Sequence, residues 1–502
     1  MWQNLEFSSS HRRRRCERSI LWLGTSALAI LATPALSQTV NVTNSSDTGA
    51  GSLRMGIEAA NGDPAISIVR GAVPAGSVIT LSSGSVDVTS TLTIDAENAF
   101  KISNIPDVPN QAALQLSGGN TLTIDAPVTV STSFNEAPAP IPTVGGIRIL
   151  DAGNVLDIYG KVETNGGRQV GISNLGDNNE IRVRSGASIS STGSYTGAIE
   201  SRGADARIIL EAGSELTARS FYGRGISLSG AGTIVDIDGQ LTTTGSASLG
   251  VWADTNAENS VINVSGRISA EYTGASSVIG VLIQADNGVV SISETGDIST
   301  QGQALSTAIS FGAGADNGSA VVAGRISAGS GKAIEFNGTN NRLELQAGYS
   351  ITGSVTGAGS DRLIFGGTDN ANFDLARLGA QYTGFGAVQK TGASTWTLSG
   401  DGSTFTGPIT VLDGTLNVTG SLGGALMVQS GGVLGGTGTL GAVTVADDGI
   451  LKPGSSPGTL HMNSLLLNNG SVLNFELGTP GLAAANDRID VAGNLTLDGI
   501  LN

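Results

Sequence analysis

Val155-Leu-Asp-Ile158-Tyr-Gly160, Ile181-Arg-Val183-Arg-Ser-Gly186 and Ile208-Ile-Leu210-Glu-Ala-Gly213 are one phrase written three times. An alternating apolar pair leads into a glycine, and the phrase keeps recurring downstream. The closing glycines are Gly160, Gly186, Gly213, Gly239, Gly266, Gly296, Gly324 and Gly348, separated by 26, 27, 26, 27, 30, 28 and 24 residues. A second marker keeps the same beat: a small residue precedes an aliphatic one at Ile147, Ile172, Ile199, Ile226, Val251, Val281, Ile309 and Ile334. Two independent markers in step at about 27 residues signal a solenoid or other stacked array. The repeating unit is strand-like, since Leu156/Ile158, Ile181/Val183, Ile208/Leu210, Val235/Ile237 and Ile262/Val264 alternate with period two.

The pattern predicts an all-β fold, a right-handed parallel β-helix of about 27 residues per coil. Coils stack at about 4.8 Å, which would give roughly 17 coils and a rod of about 80 Å as an upper estimate. Turns repeat as well: Ala285-Asp286-Asn287-Gly288 returns as Ala315-Asp316-Asn317-Gly318, with Asp177-Asn178 and Asn340-Asn341 in equivalent places. Asn tolerates a left-handed turn, and stacked Asn amides can bond one coil to the next. Outward columns pair Asp157 with Arg182 and Arg184 with Glu211 on successive coils, a pattern of surface charge ladders.

Composition fits such a rod. Among 502 residues there are 74 Gly, 13 Pro and only 4% aromatics, so each coil can hold only a thin aliphatic core. Neighbouring coils cover that core in a solenoid. The N-terminus reads as a signal peptide, residues 1–37: Arg12 to Arg15 and Arg18 form a basic region, Ile20 to Ala32 an apolar one, and Ala35-Leu36-Ser37 a cleavage site. Cleavage after Ser37 leaves 21 basic and 40 acidic side chains, a formal charge of −19, because the leader holds five Arg and two Glu. Such a surface repels nucleic acid. The single cysteine, Cys16, lies in the leader, so the exported chain forms no disulfide framework.

Residues 38–75 read as an N-terminal cap. Leu53, Ile57 and Ala60 share one face of a short helix, with Ser52 as its cap, fit to plug an exposed solenoid end. Strands at Val78 to Leu81 and Thr121 to Ile124 open the coil region, 76–356. Ala137 to Pro142 reads as a loop leaving one coil and as a place for lateral contact.

From Gly357 the phrasing changes. Val388-Gln-Lys390-Thr-Gly392-Ala-Ser-Thr-Trp396-Thr-Leu398-Ser-Gly400, continuing through Phe405 and Gly407 to Leu416, resembles the passenger-associated repeat of autotransporters. Leu434-Gly-Gly-Thr-Gly-Thr-Leu440, Pro453-Gly-Ser-Ser-Pro-Gly-Thr-Leu460 and Gly493 to Gly499 carry the resemblance across 357–502. It implies a passenger of a Gram-negative bacterium, displayed at the cell surface or released when a barrel is present and otherwise periplasmic, while the arginine run, which lacks the pattern of a twin-arginine signal, points to the general secretory route. The translocator β-barrel that such passengers carry in cis is expected but not found before Asn502, which falls in mid-coil. A host or cell-surface glycan or protein is the implied partner.

Catalytic chemistry is sparse. Beyond the leader the chain has one histidine, His461, expected in a strand or turn, and no Gly-Asp-Ser-Gly stretch, so a serine-protease passenger is not supported. Asp236 and Asp238, with Glu211 one coil away, are the best carboxylate cluster and fit a solvated acidic face better than an acid–base pair. Gly436-x-Gly438-x-x-Gly441 precedes a strand, not the helix of a dinucleotide site. Gly357-Ala-Gly359-Ser-Asp361 approaches a calcium-binding repeat once only. Trp396 and Phe405 are expected to fill the core. No catalytic, cofactor-binding or metal-binding residue is assigned and no cofactor is expected. The reading is a non-enzymatic, adhesin-like rod; the alternative is a secreted polysaccharide lyase or hydrolase on the same fold.

Overall fold

A computed structural model describes residues 37–502, apart from 105–110, 135–142, 273, 275, 303–305, 455–456 and 479–485. The leader and the Ala137 to Pro142 loop therefore lie outside the described residues. The described chain is a parallel β-solenoid of about 16 turns, with turns roughly 27 residues apart through the regular array.

Each coil of the array has three strands and three corners. Val155–Ile158, Lys161–Gly166 and Gln169–Asn174 make one coil, and Glu180–Val183, Ser188–Thr192 and Gly197–Ser201 make the next. Every strand pairs in parallel with its counterpart one coil on: Leu156 with Ile181, Val162 with Ile189, Ile172 with Ile199. Period-two alternation drives inward columns such as Leu156, Ile181, Ile208, Val235 and Ile262, all 0–1% exposed. The helix Leu53–Gly62 forms as read, with the Ser52 side chain accepting from the Met55 N–H and Leu53, Ile57 and Ala60 buried.

The two sequence markers have separate physical causes. The small residue before each aliphatic points inward and crowds the next coil. A Cβ on Gly250 would lie 2.3 Å from the Gly280 carbonyl oxygen and 2.9 Å from Ile268 Cγ2. The glycine beat marks the corner between the first and second strands, and that corner comes in two lengths. Gly186 lies in a four-residue corner, Arg184 to Ala187, at φ 83°. Gly266 lies in a two-residue corner, where a Cβ would meet the Gly239 oxygen at 2.2 Å.

The third corner carries the Asn signal, but two adjacent residues divide the work. Asn178, Asn287, Asn317 and Asn340 take the left-handed conformation, φ 54° to 58°. The amide ladder runs through the following, buried residue instead. Asn154 Oδ1 accepts from the Asn120 N–H at 2.9 Å, and Asn179 Oδ1 accepts from the Asn154 N–H at 2.6 Å.

Beyond Gly357 the period of 27 fails. Trp396 pairs with Leu416, Leu416 with Leu434 and Leu434 with Leu451, steps of only 20, 18 and 17 residues. Glycine allows tighter corners there, so more coils fit into fewer residues than the array's spacing implies. Aromatics fill the core at the transition: Phe365 lies 4.9 Å from Trp396 and 5.0 Å from Phe373, ring centre to ring centre.

Candidate functional site

Three places on the solenoid hold polar or aromatic chemistry. The first is the glycine corner with its charged columns. Arg184 Nη2 reaches Asp157 at 2.6 Å and its Nη1 reaches Glu211 at 2.6 Å, while Arg182 lies 3.5 Å from Asp157. The Arg182 guanidinium is held above its ordinary value, chiefly by its hydrogen bond to Glu180. Parallel stacking places these residues one coil apart, so the columns read from sequence are ion-pair ladders.

The same geometry disperses the proposed carboxylate cluster. Asp236 is bound by Arg207 at 2.8 Å and accepts from Asn263 Nδ2 at 2.8 Å. Asp238 accepts from the Ser265 hydroxyl, and Glu211 belongs to Arg184. Each carboxylate thus has its own partner along the axis. What sequence missed here is a notch of about 340 Å³ beside Asp238, lined by Glu215, Gln240, Arg267, Thr295 and Asp297. Its cause is corner length: the two-residue corners Asp238-Gly239 and Ser265-Gly266 lie between the four-residue corners Glu211 to Ser214 and Ser293 to Gly296.

The second place is the corner between the second and third strands. Arg168, Tyr195 and Tyr222 occupy it on successive coils, each in the left-handed region at φ 59°, 59° and 55°. The Tyr195 and Tyr222 rings stack at 5.3 Å and 15°, and Phe221 stands edge-on to Tyr222 at 4.4 Å. Arg168 lies over the Tyr195 ring at 5.5 Å. On the adjoining face Arg224 lies 3.8 Å over the Trp252 ring.

The third is the stretch that carries the passenger-associated phrase. Lys390 falls in an inward column between Phe365 and Val411 and is 1% exposed. Its Nζ donates to the carbonyl oxygens of Thr391, Gly392 and Asp413 at 2.7, 2.6 and 3.1 Å. Burial pushes the Lys390 ammonium down to about 8, with Asp413 opposing. Trp396 is buried as expected and its Nε1 donates to the Gly366 oxygen at 2.9 Å. Phe405 departs from expectation: it is only partly buried and lines a cleft of about 270 Å³ with Leu378 and Phe385. The alternation Val388-Gln-Lys390 already marked Lys390 as inward, but a lysine there suggests nothing from sequence until its three acceptors are seen.

The remaining sequence candidates take structural roles. Burial raises the Asp361 carboxyl, while the N–H groups of Ala358 and Asn341 donate to it at 2.6 and 2.8 Å and oppose the rise. That carboxylate closes a corner inside the coil. His461 is in the strand Thr459–Leu467, its Nδ1 3.4 Å from Asp490 on the next coil. Gly441 and the strand Thr439–Val445 confirm that no helix follows the Gly436 string. Among the described residues no group of three or more His, Cys, Asp or Glu could hold a metal, and no helix is long and apolar enough to cross a membrane.

The family comparison falls on the third place. The passenger-associated-transport-repeat model matches residues 388–418, the stretch from Val388 through Lys390 and Trp396 to Val418. The chain is 55% identical over 62 residues to the adhesin BmaC autotransporter of Brucella suis biovar 1 (strain 1330), covering 12% of this chain and 2% of that protein. It is 36% identical over 100 residues to an extracellular serine protease of Serratia marcescens, covering 20% of this chain and 10% of that one. The chain thus spans a tenth or less of the length of these relatives. A parallel β-solenoid bearing a passenger-associated-transport repeat defines the class. This chain carries an autotransporter passenger domain.

Proposed function

We propose that the chain is the exported, non-enzymatic passenger of an autotransporter, an adhesin-like rod held outside a Gram-negative cell by a translocator β-barrel. In this proposal residues 1–37 direct general secretory export, 38–75 cap the solenoid, and 76–356 and 357–502 form its shaft and its passenger-associated coils. The observation that supports it best is the repeat at 388–418 lying in register within one continuous solenoid. Coils that pair only with their neighbours can fold one after another as the chain emerges, without disulfides. The pairing of Asp236, Asp238 and Glu211 along the axis favours this reading over polysaccharide cleavage. The likeness to an adhesin autotransporter adds support.

The test joins the chain to a translocator barrel in a Gram-negative host. Protease-accessible passenger on intact cells, with increased attachment to host cells or to one another, is the expected result. Purified chain is expected to leave peptides and acidic polysaccharides intact. Glycan cleavage abolished by Asp236→Asn with Asp238→Asn would replace this reading with the enzymatic one.

A further inference from the structure

Four aromatic side chains are well exposed among the described residues: Tyr159, Tyr195, Phe221 and Tyr222, at 42, 49, 46 and 45%. Three of the four form the single cluster on the second corner. In a chain with only 4% aromatics, that concentration asks for a cause.

Folding does not supply one. A left-handed corner residue here is usually small or polar: Asn178, Asn259, Asn287, Asn317, Asn340 and Asp205 at the third corner, and Ala247 at the second corner on the coil after Tyr222. Large side chains are disfavoured at positive φ, and such strain collects where a surface has a task. Here Arg168, Tyr195 and Tyr222 hold that conformation on three consecutive coils. The Tyr195 and Tyr222 rings are 49 and 45% exposed, so filling the core does not account for them.

Charge points the same way. The chain is acidic, net −16, yet this corner gathers Arg168, Arg219 and Arg224. Arg219 is exposed at the end of the strand Glu215–Arg219, and its side chain makes no hydrogen bond or ion pair among the described residues. Arg224 lies on Trp252, whose Nε1 donates to Gln284 Oε1 at 2.8 Å. Glu200 pairs with Arg202 at 2.9 Å and Asp254 accepts from the Ser229 hydroxyl at 2.6 Å, and both carboxylates also act through their charge on Arg224, so the available cation of this corner is Arg219.

We propose that this corner is a binding site for a carboxylated oligosaccharide. The proposal rests on the passenger reading for its setting and on the corner's own geometry for its chemistry. The exposed rims of the stacked tyrosines, with Phe221 edge-on beside them, form one apolar surface spanning adjacent coils, against which the C–H face of a sugar ring can lie. The guanidinium of Arg219 meets a ring carboxylate in paired hydrogen bonds. A sparsely charged glycan can satisfy this local positive spot. Nucleic acid stacks on aromatics too, but its phosphate at every nucleotide would meet a chain of net charge −16.

Tyr195→Asn with Tyr222→Asn removes the rings and relieves the backbone, so this variant is expected to fold at least as well as the parent. Calorimetric titration of purified chain uses oligogalacturonate, a hyaluronan oligosaccharide and sialyllactose, each beside its carboxyl-reduced form, with oligothymidylate as the nucleic-acid probe. At least one carboxylated sugar is expected to bind, more than ten-fold tighter than its reduced form. Its affinity is expected to fall more than ten-fold in the double variant and in Arg219→Ala, with an unchanged or higher urea midpoint. Tyr195→Phe with Tyr222→Phe is expected to retain binding. Failure of all three sugars, equal affinity in the double variant, equal binding of the reduced forms, or tighter binding of oligothymidylate would each overturn the proposal. Cells that display the chain and attach through it while no sugar binds would overturn this site alone and leave the passenger reading standing.

Discussion

Lys390→Met isolates the electrostatics of the passenger-associated repeat. The Lys390 ammonium is 1% exposed and held by three carbonyl oxygens, with burial lowering it from 10.5 to about 8. That gap is worth about 3 kcal/mol at about 1.4 kcal/mol per pH unit. Below pH 8 the folded state carries a buried charge that the unfolded chain keeps in water, so the full cost is present. Between pH 8 and 10.5 the folded state releases its proton first, the unfolded state binds more protons, and stability climbs with pH. The contribution is complete above 10.5 and is lost as pH falls through 8. Removing the lysine also strands three carbonyl groups, an effect of opposite sign; only the first effect varies with pH. Trp252→Phe in a chain starting at Gln38 leaves Trp396 as the sole tryptophan, and its indole lies on the neighbouring strand of the same coils. Urea unfolding followed by Trp396 fluorescence then reports this region's own opening. Between pH 7 and 11 the wild-type lysine is expected to gain about 3 kcal/mol relative to methionine. A difference that stays flat with pH would show that the three carbonyls hold the ammonium at its ordinary value, and the reasoning would fail.

Two further substitutions test the coil architecture. Asn179 donates through Nδ2 to Asp151, Asn174 and Gly176 at 2.8, 2.6 and 2.8 Å and accepts from Asn154 at 2.6 Å. Asn179→Ala is expected to cost about 3 kcal/mol, seen as a lower urea midpoint by circular dichroism, whereas its exposed neighbour Asn178→Ala costs about 1 kcal/mol through backbone strain alone. Gly250→Val drives a side chain into the Gly280 carbonyl at the neighbouring coil and is expected to cost about 2 to 3 kcal/mol by the same measure. A neutral result would mean that the small-residue marker is not a packing constraint.

Sequence by itself determined the period, the strand character, the capping helix and the passenger-associated phrase. Each is a local signal: period-two alternation, a capping serine, and the spacing of glycine and asparagine. Stacking converts every such period into a column, so the partners Asp157, Arg182, Arg184 and Glu211 could be named before any coordinates. Tertiary structure decided what depends on how one coil sits against the next. It shortened the coils after Gly357, placed Lys390 beneath three carbonyls, and paired Asp236 and Asp238 away from each other. It also brought Tyr195 and Tyr222 together, 27 residues apart in sequence and 5.3 Å apart in space. No periodicity argument marks those two rings, because an exposed corner residue leaves the hydrophobic pattern unchanged. Only the stack of corners shows that they share one surface.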